Sequence, residues 1–120
     1  SLVRADIALI ERVLQNLVDN ALRHTPAGGR VQLAIEPGGT QQLLLKISDT
    51  GSGIAAEHLP HIFERYWRAG EAQAQDTASH SAGLGLAIVK RIVELHGSAI
   101  RVRSALQQGT TFEFALQQAV

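Results

Sequence analysis

No cysteine occurs in the 120 residues of this chain, which argues against a secreted scaffold stapled by disulfides. No apolar run approaches the roughly 20 residues that a membrane-spanning helix needs. The opening residues, SLVRADIALIERV, lack the layout of a signal peptide. Charge of one sign is also missing. Eleven basic residues balance eleven acidic ones, leaving no basic field for nucleic acid and no acidic tail. What is present is 45% hydrophobic and 18% charged, the composition of a soluble globular domain. A chain of this length builds one hydrophobic core. Because a structural element starts almost at once, the expectation is one domain, residues 1–120, of a larger protein.

The order of elements follows from periodicity. Ile7, Ile10, Leu14, Leu17 and Ala21 recur at helical spacing, with Asp6 as the N-cap and Thr25-Pro26 and Gly28-Gly29 as the stop. Val31–Ile35 alternates as a half-buried strand. Pro37–Thr40 is a turn, and Leu43–Ile47 is the more deeply buried hairpin partner. A glycine-bearing loop spans Asp49–Gly53, and short helices are expected near Ala55–Leu59 and Ile62–Arg68. Residues 70–82 are polar, small and without period, a length of loop that is usually functional. A helix from Leu84 to Leu95 closes at His96-Gly97, and strands Ala99–Arg103 and Thr111–Leu116 finish the chain. Helices on one face of a mixed or antiparallel sheet, an α/β two-layer sandwich, fit that order.

Asn16 and Asn20 sit one turn apart inside the first helix, although asparagine is a mediocre helix former. At about 100° per residue they share a stripe with Arg23, away from the apolar face. An amide oxygen suits Mg²⁺, and a guanidinium suits phosphate; a solvated polar face is the plain alternative. In SDTGSGI a carboxylate, Asp49, follows a buried strand and could accept a hydrogen bond from an exocyclic amine. It could equally organise a turn with Ser52. In AGLGLAIVK, Gly83 and Gly85 open a helix whose first amides would suit phosphate. The segment lacks the spacing of a dinucleotide fingerprint and of a P-loop. A flexible start to the helix is the alternative.

In order along the chain, NLVDNALRHT, DTGSGI, FERYWR, GLGLAIVKRIVELHG and GTTFEFAL resemble the catalytic ATP-binding domain of two-component sensor histidine kinases. That domain belongs to the superfamily shared with DNA gyrase, Hsp90 and MutL, and the resemblance covers almost the whole chain. It implies a Bergerat-type ATP-binding fold, a mixed sheet of about five strands covered on one face by about three helices. A mobile ATP lid would span about residues 68–83. It further implies that Asn20, supported by Asn16, holds the Mg²⁺ that bridges the phosphates of ATP. Asp49 would bond the adenine amine, Gly51 and Gly53 would give the base room, and Ile54 and Thr110 would lie beside it. Gly83, Leu84, Gly85 and Leu86 would set backbone amides against the phosphates. Phe63 would be the aromatic at the lid's start. Arg65 or Arg68 would reach the γ-phosphate or the acceptor domain, and Arg23 and His24 would face phosphate.

The resemblance also implies an ATP-dependent protein-histidine kinase. ATPase relatives carry a glutamate base where this chain has Asn16, and an amide is no base for water near neutral pH. No histidine here sits in a phospho-acceptor motif. The expected partner is therefore a dimerisation/phospho-acceptor domain of the same protein, and indirectly a response regulator, with the present chain monomeric. The domain would be cytoplasmic and the full protein a bacterial inner-membrane sensor. Arg23 replaces a common lysine, His24 a common tyrosine, and Ser81 a common glycine. These departures are the only support for the rival reading, a nucleotide-binding regulatory module that has lost transfer activity. A third reading, an ATPase or clamp, is opposed by Asn16 and by the short chain. His58 and His61 flank Pro60 at a spacing open to metal, though capping or exposure is the commoner fate. His80 and His96 are expected to be solvated.

Overall fold

The computed structural model describes residues 6–65, 67 and 85–117. Helix α1 runs Ile7–His24. Asp6 is extended, and its carboxylate accepts the Leu9 amide at 3.1 Å, a capping geometry that satisfies one of the unpaired donors at a helix start. The helix stops at Thr25, which is extended and whose hydroxyl donates to the Ala21 carbonyl at 2.6 Å. Pro26 follows and cannot continue it. Val13, Leu17 and Ala21 are buried, and Ile10 and Leu14 pack against them.

Two expectations about α1 change. Ile7 is 75% exposed, so the buried face does not reach the first turn. Asn20 is only 7% exposed. It lies roughly 60° round the helix from Leu17, on the flank of the core face rather than on a solvated stripe.

Strands β1 (Val31–Pro37), β2 (Gln42–Asp49), β3 (Arg101–Ala105) and β4 (Gly109–Gln117) form one sheet in the order β1-β2-β4-β3. Every pairing is antiparallel. The α/β two-layer architecture therefore holds with four antiparallel strands among the described residues, where a mixed sheet of about five was expected. Both hairpins are local, and β4 joins them by pairing with β2. Leu45 and Ile47 of β2 face the helices, as do Phe112, Phe114 and Leu116 of β4. The opposite face is polar, with Lys46 bridged to Glu36 at 3.1 Å.

Helix α2 spans Gly85–Leu95 and buries Val89, Ile92 and Val93 against α1 and the sheet. Gly97 adopts φ +74°, its amide bonds to the Glu94 carbonyl and that of Ser98 to the Val93 carbonyl. Those two bonds make a Schellman cap. His96 is half-buried rather than solvated. Its Nδ1 lies 2.9 Å from the Ile92 carbonyl, and its Nε2 accepts the Asp6 amide at 3.0 Å, tying the start of α1 to the end of α2.

Among the described residues between β2 and α2, the expected helix near Ala55–Leu59 is replaced by turns and a 3-10 turn, Leu59–His61, and residues 62–65 of the second expected helix form turns. The stretch is too short to offset helix nucleation, and Pro60 removes a donor inside it. His58 and His61 pack on Trp67, with ring centroids at 5.3 and 6.1 Å, and His61 meets Glu64 at 3.1 Å. Among the described residues no group of three acidic, histidine or cysteine side chains is placed to hold a metal. Nor is any helix among them long and apolar enough to cross a membrane. The expected lid, with Arg68, His80, Ser81, Gly83 and Leu84, lies outside the described residues.

Candidate functional site

Among the described residues three polar side chains are buried, those of Asn20, Asp49 and Thr110. All three belong to the set anticipated from sequence. Asp49 ends β2 and Thr110 opens β4, and the two are register partners. Thr110 is in turn the partner of Ser104 on β3. Directly opposed residues point to the same side of a sheet. Asp49, Thr110 and Ser104 therefore form one row at the end of the helix-covered face, where the apolar residues give out.

The loop after Asp49 is stitched down on both sides. Asp49 Oδ1 accepts the Gly51 amide at 2.8 Å. The Ser52 amide donates to the His24 carbonyl at 3.3 Å, and the Ser52 carbonyl accepts from Gln107 at 2.7 Å. The Ile54 amide donates to Ser104 Oγ at 2.7 Å. A side chain on Gly51 would meet the His24 carbonyl oxygen at 2.1 Å, and one on Gly53 the Ala105 oxygen at 2.0 Å. In this structure it is protein backbone that needs the missing Cβ atoms. The glycines let the end of α1 and the β3–β4 turn close on the loop.

Asn16 is half-buried one turn before Asn20. Among the described residues the Asn20 amide makes no hydrogen bond, yet no fully enclosed side-chain nitrogen or oxygen lacks a partner. The amide therefore keeps its small accessibility at its polar end, as a group opening into a site does. The two carboxylates of α1, Glu11 and Asp19, are exposed, and Asp19 accepts from Gln15 at 2.9 Å. No acid of α1 accompanies the asparagine pair on the buried side.

Phe63 is half-buried and stacks edge-on against Phe112, 6.1 Å between centroids, which anchors the segment after the 3-10 turn to the core. Arg65 and Arg23 are exposed. Gly85 begins α2, and Leu86 packs on the core just inside it. Ser104 escaped sequence reasoning. The strand expected from sequence, Ala99–Arg103, stops one residue short of it, and only the pairing with Thr110 brings Ser104 to the site.

His24 has its pKa lowered from the ordinary value of 6.5, first because its ring is partly screened from water and second because of the Arg23 charge; Asp49 acts in the opposite direction. As pH falls below 6.5, an unfolded chain takes up this proton before the folded one does, so folded stability declines through the lowered value. His24→Gln should abolish that share of the decline. Thermal melts of native and variant protein from pH 8 to pH 5 are expected to diverge only on the acid side, with the native chain the less stable.

The family model described as "Histidine kinase-, DNA gyrase B-, and HSP90-like ATPase" matches residues 5–120. This chain belongs to that family. Among curated relatives, the sensor protein SrrB of Staphylococcus aureus is 40% identical over 107 residues, which are 89% of this chain and 18% of SrrB. The mycobacterial sensor histidine kinase MprB superposes with a TM-score of 0.81 at 33% identity, over 97% of this chain and 74% of that one. Full-length ShkA, solved in complex with AMPPNP, gives a TM-score of 0.81 at 31% identity, over 98% of this chain and 24% of ShkA. The histidine kinase fold is thus matched nearly end to end, while the chain spans less than a fifth of the length of the SrrB sensor.

Proposed function

We propose that this chain binds Mg-ATP and passes the γ-phosphoryl group to a histidine on a separate dimerisation/phospho-acceptor domain of the same sensor protein. The observation that carries this reading is the near-buried, unengaged amide of Asn20, paired along the helix with Asn16 instead of a carboxylate. A neutral oxygen donor held in a mostly dry wall fits a hard divalent cation that shares its shell with water and phosphate. When bound, that cation offsets the charge of the transferring phosphoryl group.

The residues of the chain then divide the work. Asp49 has one carboxylate oxygen engaged by Gly51, and the other accepts from the adenine amino group. Thr110 lies beside it as its register partner. Asn20 and Asn16 orient the phosphates, Gly85 and Leu86 bring the start of α2 towards them, and Arg65 or Arg23 answers the γ-phosphate charge. Arg68, Gly83 and Leu84 belong to the same proposal. The acceptor imidazole supplies the attacking nitrogen lone pair. A P–N bond forms as the bond from the γ-phosphorus to the β,γ-bridging oxygen breaks, and ADP leaves. No base is needed to raise the nucleophile, so positioning and charge stabilisation carry the step.

The test mixes this chain, ATP and Mg²⁺ with the separately prepared acceptor domain of its own full-length protein. An acid-labile, base-stable phosphohistidine is the expected product. Nucleotide binding without it would favour a regulatory module, and phosphate release without an acceptor would favour an ATPase. Asn16→Glu sharpens that distinction. A carboxylate there is expected to raise phosphate release by about tenfold or more, since general-base help is worth about 10²–10⁴ where geometry allows. No increase would mean that the missing base is not what restrains hydrolysis.

A further inference from the structure

Ser104 is the best-connected hydroxyl in the site, although nothing in the local sequence marks it. Its Oγ lies 2.9 Å from the Gly109 carbonyl, 2.8 Å from Thr110 Oγ1 and 2.7 Å from the Ile54 amide. A serine hydroxyl has one proton and two lone pairs. The carbonyl can only accept, so the proton goes to Gly109. The amide can only donate, so it takes one lone pair. The remaining lone pair faces Thr110, whose own O–H must then be the donor. Thr110 is 6% exposed and stands opposite Asp49. With its proton committed to Ser104, its oxygen offers the site lone pairs only.

From this geometry we infer that Ser104 is a specificity-determining positioning residue. It fixes the hydrogen-bond polarity of Thr110, so that Thr110 and Asp49 together present acceptors and select a base bearing an amino group over one bearing a carbonyl. The inference rests on the proposed base pocket and adds to it the reason for its selectivity. A hydroxyl pair on the opposite sheet face makes the contrast. Ser48 and Thr111 lie 3.0 Å apart and have no third partner among the described residues, so either can donate and neither polarity is fixed.

ATP and ITP are the probes, because inosine carries a carbonyl where adenine carries its amino group. Calorimetric titration of the native chain should favour ATP by at least about tenfold, as a site with fixed acceptors disfavours an analogue that brings another acceptor. Ser104→Ala frees the Thr110 hydroxyl to rotate and donate, and should shrink the ATP-to-ITP affinity ratio by about fivefold to tenfold. Ser48→Ala should leave the ratio as it is. Thr110→Val removes the relay's output while leaving the Ile54 and Gly109 contacts of Ser104 in place, and covers the case in which Ser104→Ala does not fold. It should shrink the ratio to the same level, and the double variant should go no further.

Equal weakening of both nucleotides by Ser104→Ala, or an unchanged ratio in Thr110→Val, overturns the relay while leaving the adenine site standing. Native protein that binds ATP and ITP equally overturns the adenine reading itself, and the relay with it.

Discussion

Asn20→Ala should abolish most of the metal dependence of ATP binding while leaving the fold as stable as before. Both halves of that expectation come from the same observation. The amide is 7% exposed and makes no hydrogen bond among the described residues. Its replacement by alanine therefore breaks no internal bond and removes a polar group that is largely but not wholly desolvated, which offsets part of the cost of the small cavity left. A change in stability within about 1 kcal/mol of zero is expected, of either sign. Ligand binding is a different matter. If the amide oxygen is one of few protein donors to the cation, its loss should weaken Mg-ATP binding by about 10²-fold, equivalent to about 2.7 kcal/mol. Titrations with Mg²⁺ and with EDTA separate the causes. The native chain should lose affinity on chelation, and the variant should bind equally weakly in both. A variant whose affinity still responds to Mg²⁺ as the native chain does would remove Asn20 from the metal site. Such a pairing of large functional loss with little loss of stability is what a residue held for function predicts.

That burial was not legible in the sequence. Asn16, Asn20 and Arg23 fall on one stripe of a helical wheel, and the wheel alone favours a solvated face. The wheel gives direction and not distance. It cannot say how far round α1 the sheet and α2 reach, nor how far along it, which is also why Ile7 shares the apolar phase and still stands in solvent at 75% exposure. Local signals did better. Asp6 capping, the Thr25-Pro26 stop and both hairpins depend on near neighbours, and each was readable before any tertiary contact was known. The short helices before and after Pro60 were misjudged because apolar spacing in so few residues does not outweigh nucleation. Ser104 lies at the far extreme, since its partners Ile54 and Gly109 are brought together only by two strand pairings and a loop closure. Ordered motifs named the candidate residues, and the pairing of β2 with β4 sets Asp49 beside Thr110.

Gly109→Ala should be the most damaging single change at that pairing. Gly109 holds φ +90°, a conformation that a side chain resists, and a Cβ built there would lie 2.0 Å from the Asp49 carbonyl oxygen and 3.2 Å from the Thr50 Cα. Both obstacles are backbone, so no rotamer relieves them. The strands must separate at the row that carries Asp49 and Thr110. Strain and overpacking together should cost about 3–5 kcal/mol. That corresponds to a fall in Tm of at least about 10 °C for a domain of this size. Gly97→Ala is the matched control. Its φ of +74° is similarly unusual, but nothing lies within 4 Å of the added carbon. Only the conformational term applies there, about 1 kcal/mol. Nucleotide binding should follow the same division. Gly97→Ala sits at the end of α2 and should bind ATP normally wherever it is folded. Gly109→Ala should bind weakly even at temperatures where circular dichroism reports a folded chain, because the acceptor pair no longer converges on one base edge. Equal costs for the two substitutions would mean that the β2–β4 contact yields without consequence, and the site would then owe its shape to the loop after Asp49 and not to the sheet.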